Sequence, residues 1–217
     1  MPHTKAEMDG LWKKIVEIHN HTKFHLLYCE ESEVTHVTFL QPRNELCNAL
    51  EHIVRAKAHE FGLGKADAEL GEDYEYNTLD KALGHEFRAF FDVCDWLSII
   101  LREGIRSELG NYSPEVIETV IPNYYTEIRP MLDVLPDQIA AIRARKDIKG
   151  DILAEVSEYN EILLELKAFR VSLSAKIPSL EEVKKGGERK KIWDVLLLVA
   201  AALIEAVVIW WWEKTHR

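Results

Sequence analysis

Cysteine is scarce in this chain: Cys29, Cys47 and Cys94 are the three in 217 residues, odd in number and widely spaced. That excludes a disulfide framework and a cysteine-based zinc site, and it fits reduced thiols. Positive charge is in deficit, with 27 Lys and Arg against 37 Asp and Glu and a net charge of −10. A field of that sign opposes general nucleic-acid binding, so nucleic acid is not an expected partner. Alternation of apolar and polar residues with a period of two is missing outside the short stretch 34–39, which argues against a sheet protein. Phosphate-binding loops, nucleophile elbows and zinc-protease patterns are absent, and no cofactor is implied. There is no internal repeat or low-complexity tract. The opening Met-Pro-His-Thr-Lys-Ala-Glu-Met has no apolar core and does not read as a secretory signal.

What remains is helical spacing almost throughout, and the expected fold is all-α. A first helix is expected over 4–28, carried by Met8, Leu11, Trp12, Ile15 and Ile18. A second follows Pro42 through Leu46, Leu50, Ile53 and Val54 to the breakers Gly62 and Gly64. The acidic stretch 62–76 reads as a mobile loop. A third helix, capped at Asn77, runs through Leu83, Phe87, Phe90, Cys94, Leu97 and Leu101 to about Leu109; as the most aromatic helix it is the expected core. Ser113-Pro114 opens another helix, while Pro122, Pro130 and Pro136 predict a bent path up to Lys146. From Asp151, the residues Ile152, Val156, Tyr159, Leu163, Leu166, Arg170, Leu173 and Ile177 form a heptad seam broken by one arginine. Such a seam packs either within the bundle or against a second subunit. Pro178 is expected to stop it, and Gly186-Gly187 to form a flexible joint.

The run 192–212 is apolar over twenty-one residues, about 31 Å as a helix, which matches a bilayer's hydrocarbon thickness. Trp193, Trp210, Trp211 and Trp212 would serve as an aromatic belt, with Lys190 and Lys191 at the preceding interface. Together with Lys184, Lys185 and Arg189 these cations predict a tail-anchored protein of the inner membrane, single-pass, with its N-terminal domain cytoplasmic. Asp194 and Glu205 are eleven residues apart and share a face with Ala201. That face is expected either to turn inward in a homo-oligomer, lining a pore or a proton-sharing contact, or to belong to a simple anchor with Glu205 protonated or locally hydrated.

Polar residues also recur at helical spacing in the bundle. Glu45, His52 and His59 share one face, and His85, Arg88, Asp92 and Asp95 form a stripe on the next helix. If the faces meet, His52, His85, Arg88 and Asp92 make either an acid–base or ligand site or an ion-pair network that fixes helix register. His21 and His25, four apart, offer two metal ligands without an evident third, and no metal site is expected.

The run Pro42-Arg43-Asn44-Glu45-Leu46-Cys47-Asn48-Ala49-Leu50-Glu51-His52-Ile53-Val54-Arg55-Ala56, followed by Lys81-Ala82-Leu83-Gly84-His85-Glu86-Phe87-Arg88-Ala89-Phe90-Phe91-Asp92, resembles the helices of HEPN-like bundles from bacterial conflict and phage-defence proteins. The resemblance covers about 35–150. Ribonuclease members pair an Arg, followed by a polar residue, with a His four to six positions on. Here Arg43-Asn44 begins that pattern, but His52 follows nine residues after Arg43, on the opposite helix face. Arg55 and His59 are separated by three residues. The resemblance therefore implies a bundle for sensing or assembly more than a ribonuclease.

The combined expectation is a cytosolic bundle of about five helices (1–180), a basic linker (181–191), a transmembrane helix (192–212) and a short tail (213–217). Such a protein would be a membrane effector that oligomerises to perturb the inner membrane in a defence or toxin setting, more plausibly without enzymatic activity. Its partners would be membrane lipid, further copies of itself and a protein or small-molecule trigger. A membrane-anchored adaptor and a HEPN-like ribonuclease are the alternatives.

Overall fold

The computed structural model describes residues 3–32, 40–63, 71, 73–145 and 150–215, and every regular element among them is helical. In chain order these are α1 (Lys5–Ser32), α2 (Leu40–Glu60), α3 (Tyr74–Leu109), α4 (Pro114–Val120), a π-helical turn (Tyr124–Ile128), α5 (Arg129–Arg145) and α6 (Ile152–Thr215). The all-α reading holds for the described residues. The alternating stretch 34–39 and residues 64–70 and 72 of the acidic loop lie outside them.

Local chemistry explains several boundaries. Thr4 and Glu7 form a capping box before α1: Glu7 Oε2 accepts from the Thr4 backbone N–H at 2.7 Å, and Thr4 Oγ1 accepts from the Glu7 N–H at 3.3 Å. Pro42 sits in the first turn of α2, where its missing N–H costs nothing. Pro114 opens α4 after an extended Ser113. The Asp151 carboxylate accepts from the Ala154 N–H at the start of α6. The predicted bend over 122–146 takes the form of the π turn between Pro122 and Pro130, followed by α5 with Pro136 inside it.

The chain divides into two compact units. Unit 1 comprises Met1–Arg106 and Met131–Val171. At its centre lies α3, whose Leu83, Phe87, Phe90, Phe91, Leu97 and Leu101 are all buried. Around it, α6 contributes Ile152, Val156, Tyr159, Leu163 and Leu166, so this part of the heptad seam packs within the chain. The arginine that interrupts the seam lies against a glycine: a Cβ on Gly104 would come within 3.0 Å of Arg170 Cζ. Unit 2 comprises Ser107–Pro130 and Ser172–Arg217, with Ile117, Ile121, Leu173 and Leu180 buried. Within it Tyr112 donates to Glu181 at 2.8 Å, and Lys184 donates to the Asn111 carbonyl at 3.2 Å.

The structure corrects the reading of the C-terminal region. Residues 152–215 form one helix of 64 residues that neither stops at Pro178 nor breaks at Gly186-Gly187. Among the described residues no helix is long and apolar enough to cross a membrane. The expectations of a single C-terminal transmembrane helix, a tail-anchored protein and a single-pass inner-membrane location are therefore withdrawn. The physical reason lies in the two acids. Between Asp194 and Glu205 the uncharged run is ten residues, about 15 Å, or half the hydrocarbon thickness. Extending it either way carries a carboxylate inward at a cost of about 3 kcal/mol. The belt assigned to Trp193, Trp211, Trp212, Lys190 and Lys191 falls with the span: these are exposed helix residues, and the Trp210 side chain lies outside the described ones.

Candidate functional sites

The polar stripes of α2 and α3 do meet. Glu45 takes a hydrogen bond from Arg88 Nε at 2.9 Å, and its Oε2 lies 2.8 Å from His85 Nδ1. Arg88 Nη2 is 2.7 Å from the same ring nitrogen. Nδ1 has one role at a time: protonated, it donates to Glu45; unprotonated, it accepts from Arg88. The His52 ring stacks on His85 with centroids 5.2 Å apart. Burial alone would raise the Glu45 carboxyl, but the hydrogen bonds from His85 and Arg88 outweigh it and hold the group below its ordinary range. His52 is lowered by burial and by the charges of His85, Arg55 and Lys81.

His52, His85 and Arg88 thus lie together, and Glu45 is the carboxylate that hydrogen-bonds to His85 and Arg88. Glu45, His85 and Arg88 are held by one another and His52 stacks on His85, and among the described residues no group of His, Cys, Asp and Glu could hold a metal. The arrangement clamps α2 to α3.

The other anticipated residues are dispersed. Arg43 and Asn44 are exposed, and Arg43 pairs with Glu30 of α1. His25 is buried and hydrogen-bonds through Nε2 to Asn160 Oδ1 at 2.8 Å. Asp95, last in the α3 stripe, accepts from Tyr159 Oη at 2.6 Å and pairs with Arg143 at 2.9 Å, joining α3 to α6 and α5.

Two further features stand out more clearly as sites, one that the sequence reading missed and one that it read as a membrane span. The first is a cavity of about 430 Å³ in unit 1. Its walls are Trp12, Ile15 and Val16 of α1 with Leu46, Leu50 and Ile53 of α2. Glu86 of α3 also lines it and is 3 % exposed. His19 on the lining donates through Nδ1 to this carboxylate, at 3.1 Å and 3.3 Å from its two oxygens. Burial raises the Glu86 carboxyl above its ordinary range, with the His19 ring opposing. A signal was present in sequence, since Leu79, Leu83, Glu86 and Phe90 step by four, three and four along the buried face of α3. An acid in that register is a buried acid.

The second feature is the end of α6. Every residue from 185 to 206 is exposed, among them Asp194, Ala201 and Glu205. Leu196, Leu197, Leu198 and Leu203 are each more than half exposed. Apolar residues cover the helix circumference here, which a helix in water does not sustain without neighbours.

Compared with family models, curated proteins and solved structures, the chain matches none.

Proposed function

We propose that the protein is a self-assembling helical effector, in which residues 191–205 of α6 pair antiparallel with the same segment of a second copy. The observation that carries this reading is the exposed apolar circumference between Asp194 and Glu205. Lys191, Asp194, Leu198, Ala201 and Glu205 follow one another at steps of three, four, three and four, the spacing of a coiled-coil seam. An antiparallel partner centred on Leu198 sets Lys191 of each copy opposite Glu205 of the other, twice by symmetry. A parallel partner would set Glu205 against Glu205. Because the apolar residues encircle the helix, more than one neighbour is needed to cover them, so assemblies of even number built from antiparallel pairs are favoured. The likeness of 35–150 to HEPN-like bundles fits a protein whose work is sensing and assembly.

The test is a charge exchange followed by light scattering. Lys191→Glu and Glu205→Lys alone should each weaken association about tenfold, corresponding to two pairs of about 0.7 kcal/mol. The double exchange should restore it. A wild-type chain that stays monomeric at high concentration, or single exchanges without effect, would overturn the proposal. The monomeric outcome would favour an adaptor that offers this segment to a different protein.

A further inference from the structure

We propose that the cavity lined by α1, α2 and Glu86 of α3 binds a small hydrophobic amine, its ammonium group seated on the Glu86 carboxylate. The cavity belongs to unit 1 and the segment proposed to associate to unit 2, and neither reading depends on the other.

The cavity's size, about 430 Å³, lies in the range of small-molecule sites, and its walls are aromatic and aliphatic. Such walls select an apolar body. What they select at its end follows from the acid. A carboxylate offers about four acceptor positions, and among the described residues the hydrogen-bond partner of Glu86 is His19 alone. An ammonium brings three N–H donors and a compensating charge to a carboxylate that burial disfavours. A carboxylic acid would meet Glu86 with the same sign of charge, and a neutral ligand would leave the acid as poorly solvated as before. The ring of His19 is about half exposed, so it can swing outward when an ammonium replaces it as donor. The protein's net charge of −10 adds a weak general attraction for cations.

The cavity carries its own reporter. Cys47 lines it and is exposed, while Cys29 and Cys94 are buried, and burial pushes the Cys94 thiol well above its ordinary range. Alkylation of the full chain by iodoacetamide therefore reads Cys47, and an occupant of the cavity slows it. Three probes of matched chain length separate the possibilities: n-octylamine, n-octanol and octanoate. The amine should protect Cys47 at a concentration at least tenfold below that of the alcohol, and octanoate should protect least. Glu86→Gln should abolish the advantage of the amine while the alcohol still protects. Leu50→Trp, a substitution at an exposed wall position, should fill the cavity and remove protection by all three. Equal protection by amine and octanoate, no protection by the amine while the far-ultraviolet dichroism is unchanged, or an amine preference that survives Glu86→Gln would each overturn the assignment. The wild-type comparison of amine with alcohol decides the matter even if a variant folds poorly.

Discussion

His25 shows how one side chain sets the pH response of the bundle. It is 2 % exposed, and burial, against the opposing hydrogen bond to Asn160, pushes its pKa down to about 4. In the unfolded chain the same ring titrates near 6.5, so below that pH the unfolded state binds the extra proton and the folded state is disfavoured. The destabilisation begins as pH falls through about 6.5 and is complete near 4, amounting to about 3 kcal/mol. His25→Gln keeps a polar side chain of similar reach at that position without a group that titrates. In urea unfolding at pH 7, 6, 5 and 4, the wild type should lose stability relative to this variant by about that amount, and parallel curves would refute the account. Glu86 contributes with the opposite sign, because a raised carboxyl pKa favours folding as pH falls. The comparison at His25 is therefore made with Glu86 intact in both proteins.

At the scale of the element, α6 separates what could be read from the residues from what could not. Its start and its buried seam were legible because Ile152, Val156, Tyr159, Leu163 and Leu166 keep heptad spacing from Asp151 onward. The α3 core was legible in the same way, from Leu83, Phe87, Phe90 and Leu97. Pro178 and Gly186-Gly187 misled for a physical reason: local preference opposes helix at each by about 1–3 kcal/mol, and burial of Leu173 and Leu180 on either side of Pro178 offsets that cost. The polar clamp was half legible, since spacing placed His85 and Arg88 on one face but could not choose between Glu45 and Asp92 as their carboxylate. The cavity was missed because it needs three helices to close it. A Cβ added at Gly186 or Gly187 would meet nothing within 4 Å. Gly186→Ala with Gly187→Ala should therefore raise the helical dichroism and stabilise the end of α6 by about 1–2 kcal/mol. Loss of helix signal in that variant would contradict a continuous α6.

For the whole molecule, the association proposed above would make stability a function of protein concentration. Copies that associate only when folded draw the equilibrium toward the folded state by mass action. The transition temperature in scanning calorimetry should rise across a hundredfold increase in concentration. For Glu205→Lys the same rise should need about tenfold more protein, and a flat wild-type response would count against association. The same segment explains why charge patterning alone read as an anchor: basic residues beside an apolar run suit a membrane flank and an antiparallel helix partner equally well, and only the short distance between Asp194 and Glu205 separates them.

The order in which α6 is laid down has a consequence for synthesis. Every residue of unit 1 precedes position 172, and Ile192 comes twenty-one residues after Val171. At about 5–20 residues per second, translation takes roughly 1–4 s to cross that interval, whereas helical bundles fold in microseconds to milliseconds. On a ribosome, then, the last residue of unit 1 emerges about that long before the segment proposed to associate, and under that proposal neighbouring nascent chains meet through finished domains instead of tangling through unfinished ones.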